Sequence, residues 1–280
     1  MRRLKTVLFV LAHLLWVALL TVLTQVGGVI HLLCIPAYGF FRVRYPQRLL
    51  RYLGQTLCFL LAYMLVVVFI LPPLAGRYGR VHLPVNGTLL RPQNLMTVIL
   101  CRHYVRRELR NTALEVALDM NREHGATLLY LDAQHPFGNK WPLLPHLSHS
   151  DGLKLDLALL WKRRSDNKPV AETPSVIGYG VFVDPRPQDT DVARSCAAKG
   201  FWQYSVMDQI IPQTNKPHYV LDEERTAAMV RLFCQHKGVR RVLIEPHLKA
   251  RLGLGAFDNL RHAGCHAVRH DDHIHVEGRD

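Results

Sequence analysis

PHLSHSDGLKLDLALL, residues 145–160, is the stretch on which the interpretation of this chain depends. Its leucines alternate with other residues from position 153 onward, which predicts a buried strand over residues 153–159. On such a strand Asp156 lies on the face opposite the leucines, and His149 lies in the loop that enters the strand. The stretch therefore predicts an imidazole and a carboxylate at one face of a sheet.

A second histidine motif, HDDHIH, occupies residues 270–275. In a terminal strand, His273 and His275 are two residues apart and therefore point to the same side. Two neutral imidazoles and one carboxylate are a ligand set for a catalytic zinc, which keeps a fourth tetrahedral position for water. A further imidazole beside the metal can accept a proton. We therefore expect the two motifs to meet on one face of the sheet.

The spacing between His149 and Asp156 is not specific by itself, because His273 and Asp280 repeat it at the end of the chain. The longer pattern is more informative. It reads His-x-x-His-x-x-Gly-x-x-x-Asp over residues 146–156 and is followed far downstream by an acid-rich cluster that ends in His-x-His.

The segments PLLPHLSHSDGLKLDLAL and HDDHIHV resemble the penicillin-insensitive murein endopeptidases. These belong to the superfamily of lysostaphin-type, D-alanyl-D-alanine and sonic-hedgehog-like zinc peptidases. The similarity covers roughly residues 90–277. Carried over residue by residue, it implies three zinc ligands, namely His149, Asp156 and His275. It also implies that His273 lies beside the metal and acts as the catalytic base.

The same resemblance assigns supporting roles to His146 and His270, which match further family histidines near the ligands or at a second metal position. One of Asp271 and Asp272 would orient an imidazole through its other ring nitrogen, and we assign this role to Asp272. The expected cofactor is one catalytic Zn²⁺, with a second ion possible.

The function that the resemblance implies is a zinc-dependent peptidoglycan amidohydrolase that cleaves peptide cross-links, with peptidoglycan peptide stems as its partner. Its expected location is the bacterial inner membrane, with the catalytic domain facing the periplasm. Two alternatives stay open. The chain is either a D,D-carboxypeptidase or dipeptidase of the same superfamily, or a catalytically silent membrane scaffold that keeps a structural zinc site.

Some of the histidines have a simpler interpretation. His262, His266 and His270 recur every four residues, as they would on a solvated face of a helix. Gly264 and Cys265 interrupt that helix.

Charge separates the chain into two parts. The first carboxylate is Glu108, whereas 13 lysines and arginines precede it, so the whole net charge of +13 belongs to the N-terminal part. This distribution favours a membrane anchor with basic flanks and excludes a nucleic-acid-binding domain.

Two apolar runs, residues 6–41 and 55–75, are long enough for at least two membrane crossings. A cleavable signal peptide is the alternative for the first run, but no cleavage site followed by a polar start is evident. A simple two-span hairpin would leave the basic residues 42–51 outside, against the positive-inside rule. A tight turn or re-entrant bend at residues 24–28 would keep both basic segments inside and place the C-terminal domain outside, and we favour it.

The predicted fold class is α+β, with a small antiparallel sheet and flanking helices that carry the zinc site, preceded by N-terminal transmembrane helices. The predicted divisions are a membrane anchor over 1–76 with two or three membrane segments, a basic linker over 77–107 and a zinc peptidase domain over 108–280. Within the last division we expect helices at 111–123 and 222–236, and strands at 127–132, 175–183 and 241–245.

The six cysteines divide by location. Cys34 and Cys58 lie in the apolar runs and are interpreted as buried apolar side chains. The other four are expected to form disulfides in an oxidising periplasm, in one of three pairings. These four are Cys101, Cys196, Cys234 and Cys265.

Overall fold

The fold joins three antiparallel N-terminal helices to a mixed α+β domain. The computed structural model describes residues 2–141, 143 and 148–279, so His146 lies outside the described residues. The α-helices are α1 (Arg2–Thr24), α2 (Gly27–Arg44), α3 (Arg48–Leu65), α4 (Leu71–Arg77), α5 (Leu95–Ile99), α6 (Arg107–His124), α7 (Val192–Ala198), α8 (Val206–Ile210), α9 (Glu223–Gln235) and α10 (Pro246–Arg251). The strands are β1 (Arg80–His82), β2 (Leu90–Pro92), β3 (Tyr104–Arg106), β4 (Leu128–Tyr130), β5 (Lys154–Ala158), β6 (Trp161–Arg163), β7 (Pro169–Val170), β8 (Tyr219–Leu221), β9 (Val239–Leu243), β10 (Leu260–Arg261) and β11 (His273–Gly278).

Two helical segments are long and apolar enough to cross a membrane, Thr6–Thr24 and Arg48–Arg77. The second comprises α3, a π-helical turn and α4. Helix α2 runs back between α1 and α3, so the start of α1 and the arginines around the α2–α3 connection lie at one end of the bundle. The α+β domain lies at the other end, where it contacts the α1–α2 turn and packs along the second half of the segment Arg48–Arg77.

A tight turn connects α1 to α2, as the favoured sequence interpretation requires. Gln25 adopts a left-handed conformation (φ 67°), and its side chain bonds both the carbonyl and the amide of Phe137 at 2.8 Å. Gly28 permits the close approach of the two helices, because a Cβ there would lie 2.0 Å from Thr21 Oγ1. The tip of the helical hairpin is thus attached to the α+β domain.

The main sheet has six strands in the order β10-β9-β11-β5-β4-β2. Its four central strands are antiparallel, as predicted, but the two edge pairs, β10–β9 and β2–β4, are parallel. The sheet is therefore mixed. Parallel neighbours need a crossover connection, which α10 provides at one edge and α6 at the other.

One face of this sheet packs against helices α6 and α9. Leu155 and Leu157 of β5 join Val276 of β11 in the principal core, together with Met120 and Phe233 of the two helices. Both helices were predicted. The left-handed Gly125 ends α6, and the Asp222 side chain caps α9 by accepting from the Arg225 amide at 3.2 Å. The opposite face of β5 and β11 carries their polar side chains.

Residues 77–107 fold with the domain instead of forming the basic linker that the sequence suggested. Strand β2 pairs with β4 at the sheet edge, and β1 pairs with β3 in a separate two-stranded ribbon. The strands are three residues long, too short for a visible alternation of apolar and polar residues.

The predicted strand at 175–183 is wrong. This stretch is a loop that crosses the polar face of the sheet, and its two glycines have positive φ angles, 87° at Gly178 and 84° at Gly180. A Cβ on Gly178 would lie 2.2 Å from Leu131, so the loop packs closely on the strands beneath it.

Candidate metal centre

The two histidine motifs meet where β5 pairs with β11. In this antiparallel register His275 lies opposite Asp156, and His273 lies opposite Ala158. His149 reaches the same place from the loop before β5, and the three side chains form a buried group that can hold a metal ion. The sequence prediction that both motifs share one sheet face is confirmed.

The three donor atoms form a small triangle. Asp156 Oδ1 lies 2.8 Å from His275 Nδ1 and 3.2 Å from His149 Nε2, and the two nitrogens are 3.2 Å apart. Ligands about 2.0–2.1 Å from a tetrahedral metal are separated from each other by about 3.3 Å. The triangle is close to that size, so its geometry fits one ion with three protein ligands.

His149 is fixed in the tautomer that a ligand needs. Its Nδ1 lies 2.6 Å from the carbonyl oxygen of Ala133, which can only accept, so Nδ1 carries the proton and donates it. The lone pair is therefore on Nε2, the nitrogen that belongs to the donor triangle. Hydrogen bonding of the second ring nitrogen to a carbonyl is the usual support of a metal-binding histidine.

His275 is buried and can bind a metal through Nδ1. Burial lowers the pKa of His275, and this outweighs the opposing effect of Asp156, so the imidazole is neutral. Its buried Nε2 has no hydrogen-bond partner among the described residues, and Glu277 Oε1 is 3.7 Å away. Coordination through Nδ1 would put the proton on Nε2 and direct it toward that carboxylate, which arginines 240 and 241 hold in place.

His273 stands beside the triangle without belonging to it. Its Nδ1 is hydrogen-bonded to Asp272 Oδ1, and its Nε2 lies 3.9 Å from Asp156 Oδ2. The second oxygen of Asp272 accepts from the amide of Gly180 at 2.6 Å. This arrangement keeps the proton on Nδ1 and turns the basic Nε2 toward the metal ligands.

Tyr179 completes the site and was not identified from the sequence. Its hydroxyl donates to Asp156 Oδ2 at 2.8 Å, and its ring packs edge-on against His273 with centroids 4.9 Å apart. Burial raises the pKa of Tyr179 well above its usual value, and the carboxylates of Asp132 and Asp156 raise it further, so the hydroxyl stays protonated. The only sequence signal was the pair of glycines on either side.

The remaining histidines of the C-terminal motif surround the centre. His270 is buried, with its ring 4.9 Å from that of His273. Residues 262–270 form no helix, so the solvated helix face considered for them is not formed. His262 instead contacts the hydroxyl of Tyr204 at 2.9 Å, and Tyr204 donates to Glu245 at 2.6 Å.

Two cavities adjoin the site. A polar cavity of about 610 Å³ is lined by the three candidate ligands together with His262, His266, His270 and Arg241. A mainly apolar cavity of about 340 Å³ is lined on one side by Tyr179, Asp272 and His273. Most of the remaining wall is apolar, and its polar members are Asn94, Thr97, Arg102, Asp132, Gln203 and Arg269. The candidate base and Tyr179 thus face the second cavity, whereas the ligands face the first.

One disulfide is present among the described residues, Cys196–Cys265, and it ties α7 to the segment that precedes β11. Cys101 and Cys234, expected to pair as well, are free and buried in different clusters. One of the three pairings considered joins Cys196 to Cys265 and Cys101 to Cys234. Only the first of these two disulfides is formed among the described residues.

Comparison of the chain with models of protein families gives no match, and comparison with curated proteins gives none either.

Proposed function

We propose that this protein is a metal-dependent amide hydrolase of the zinc peptidase type, anchored in a membrane and acting on the peptide cross-links of peptidoglycan. The observation that carries the proposal is the buried triangle of His149, Asp156 and His275 with His273 beside it. Its spacing matches one ion, and the histidine next to it has the tautomer of a base.

The number of ligands favours catalysis over a structural role. Structural zinc sites are usually closed by four protein ligands, whereas catalytic sites use three. The group contains three donors among the described residues. Two nitrogens and one carboxylate oxygen suit Zn²⁺, although the same set also binds other transition metals.

A Zn²⁺ ion held by these ligands would polarise a substrate carbonyl and lower the pKa of a bound water molecule. His273 would accept a proton at Nε2, and the carboxylate of Asp272 would stabilise the resulting imidazolium through Nδ1. The same Nε2 would then return the proton to the leaving amine. The Tyr179 hydroxyl would hold Asp156 in its orientation as a ligand.

The substrate class and the cellular side rest on two further arguments. The resemblance to murein endopeptidases supports peptide cross-links as the substrate. The basic residues at the end of the helical bundle that lies away from the α+β domain support a domain outside the cytoplasmic membrane, because positively charged loops stay inside.

The test is hydrolysis of purified cross-linked muropeptides by the full-length protein supplied with Zn²⁺. We expect dimers to be converted to monomers with the gain of one water, and the Asp156→Ala variant to leave the dimers intact. Unchanged dimers in the presence of a stoichiometrically zinc-loaded, folded wild-type protein would contradict the proposed function.

A further inference from the structure

The apolar cavity beside His273 has the composition of a site for a hydrocarbon group. Its wall is formed mainly by the side chains of Leu100, Ile177, Phe182, Met207 and Val268. Its volume, about 340 Å³, is within the range of small-molecule sites. Binding a hydrocarbon group against such a wall is favourable because apolar surface leaves water. A polar peptide group bound there would lose its hydrogen bonds to water with little to replace them.

The charged side chains that line this cavity are already paired. Arg102 binds Asp132 at 2.7 Å, and Arg269 binds Asp271 at 3.0 Å while its guanidinium lies over the ring of Phe182. Both arginines therefore have a carboxylate partner within the protein. An anionic substrate group would have to compete with these carboxylates, whereas a hydrocarbon would not.

The mouth of the cavity is apolar and exposed. Met96 and Ile177 line the cavity and are 54% and 39% exposed, respectively. Three more large apolar side chains of the same two segments are exposed too, namely Leu95, Ile99 and Val176. Asn94 links the two segments by donating to the carbonyl of Val176 at 3.4 Å. Grouped exposed apolar side chains mark contact with a partner or a membrane.

The mouth lies next to a helix that is long and apolar enough to cross a membrane. Tyr63, within the segment Arg48–Arg77, donates its hydroxyl to the carbonyl of Ile99 at the end of α5. Cys101, two residues further on, packs in one cluster with Tyr63 and Val67 of that segment. Helix α5, which carries one side of the mouth, therefore packs directly on the helix that leads into the bilayer.

We infer that the cavity binds the hydrocarbon chain of an amphiphilic amide that reaches the site from the membrane. The inference rests on the proposed amide hydrolysis and adds a lipid-modified amide to the substrates of the same site. The hydrocarbon would adjoin the carbonyl near Tyr179 and His273, and the polar remainder would extend into the polar cavity. In the reaction water breaks the C–N bond between the fatty-acyl carbonyl and the amide nitrogen. The carbonyl carbon gains a hydroxyl group and becomes a carboxylic acid, and the nitrogen gains a proton and leaves as an amine.

The binding test uses a dodecanoyl-D-alanyl-D-alanine that carries a photoreactive diazirine in its chain. The full-length protein is reconstituted in vesicles of phosphatidylethanolamine and phosphatidylglycerol, and the labelled peptides are mapped by mass spectrometry. We expect labels at the cavity wall, in residues 95–102 and 177–182. Labelling confined to α1–α4 would overturn the inference.

Two variants on one helix provide a matched control. Met207→Glu places a carboxylate in the cavity and should reduce labelling of the wall about tenfold or more, because an unpaired charge there repels hydrocarbon. Ile210→Glu adds the same charge to α8 at an exposed position outside the cavity lining and should leave the labelling unchanged. Equal labelling of the wall in all three proteins would also overturn the inference. Met207→Leu, which keeps an apolar side chain, checks that the effect is due to charge.

Rates of hydrolysis distinguish a failure of the lipid site from a failure of the proposed hydrolase function. We expect kcat/KM for dodecanoyl-D-alanyl-D-alanine to exceed that for acetyl-D-alanyl-D-alanine by about tenfold or more, because the added methylene groups would be buried against the apolar wall. Equal kcat/KM values with no label in the cavity would contradict the inference and leave the hydrolase intact. Specific labelling of the wall without cleavage of either compound or of muropeptides would support the lipid site and contradict the hydrolase.

Discussion

Strands β5 and β11 supply Asp156 and His275 from neighbouring positions of a regular ladder, whereas the loop over residues 175–183 supplies Tyr179 and the Gly180 amide from irregular backbone. The strand side brings the candidate metal ligands together, and the loop side contacts the base and one ligand from above. The difference separates two tasks. Changes on the strand side should remove the metal, and changes on the loop side should slow the reaction while the metal stays bound.

His273 gives the strongest test of this division between metal binding and reaction, because it lies on β11 but is not part of the donor triangle. His273→Ala should retain the metal and lower turnover by roughly 10²–10⁴, the usual contribution of a positioned base. Elemental analysis and muropeptide cleavage measure the two quantities. His218→Ala, at an exposed position away from both cavities, is the control and should change neither. Loss of the metal from His273→Ala would make His273 a ligand and end the distinction.

The disulfide allows the stability of the fold to be changed without altering the strands that carry the metal ligands. Cys196–Cys265 ties α7, which precedes the cavity-lining α8, to the segment before β11. The double variant Cys196→Ala/Cys265→Ala should lose about 2–4 kcal/mol of stability, measured as a fall in Tm of several degrees. Its metal content should stay unchanged, since the strand ladder is intact. A reductant should lower the Tm of the wild type and not that of the double variant; equal Tm values for all would contradict the assignment.

Two buried histidines of the α+β domain, His103 and His135, predict a loss of stability in acid. Burial lowers the pKa of His103 from 6.5 to about 3 and that of His135 from 6.5 to about 4, with smaller contributions from His82 and Arg102. The folded chain therefore binds fewer protons than the unfolded chain below about pH 6.5. Stability should fall as the pH is lowered from about 6.5 toward 4.

For His135 alone the loss should be about 3 kcal/mol at most, at 1.36 kcal/mol per pKa unit. His135→Gln should flatten the dependence of Tm on pH over this range, and the exposed His218→Gln should leave the dependence as in the wild type. An unchanged slope in His135→Gln would show that this imidazole is not held neutral by the fold.

The smallest effect is expected on the loop side. Tyr179→Phe removes the hydroxyl that orients Asp156 but keeps the ring against His273. We expect activity to fall about 10–100-fold, as for other groups that orient a ligand, while the metal stays bound. Tyr219→Phe, which removes an exposed hydroxyl bonded to Glu172, should have no effect. A wild-type rate in Tyr179→Phe would remove this residue from the site, and loss of the metal would contradict the division between the two sides.

The same comparison explains what could be predicted from the sequence. The alternation of side chains along β5 puts Asp156 on the face opposite the leucines. The same alternation puts His273 and His275 of β11 on one face, and the antiparallel pairing places His275 opposite Asp156. The helices α6 and α9 were predicted for similar local reasons, a left-handed Gly125 and a capping Asp222.

What could not be predicted depends on contacts between distant residues. Tyr179 reaches Asp156 only because Gly178 and Gly180 take conformations that a strand prediction does not contain. The short strand β2 forms by pairing at a sheet edge and has no periodicity of its own. The pairing of Cys196 with Cys265 depends on the path of the loop between them, which four cysteines in a sequence do not reveal.

The central claim is that His149, Asp156 and His275 hold one metal ion. The most direct measurement is the metal content of the purified full-length protein after equilibration with Zn²⁺ and removal of free metal, for the wild type and for His149→Ala, Asp156→Ala and His275→Ala. The account predicts about one equivalent for the wild type and almost none for each variant, since each removes one of three ligands. Full zinc retention in a folded His149→Ala protein, or no zinc in the folded wild type, would contradict it.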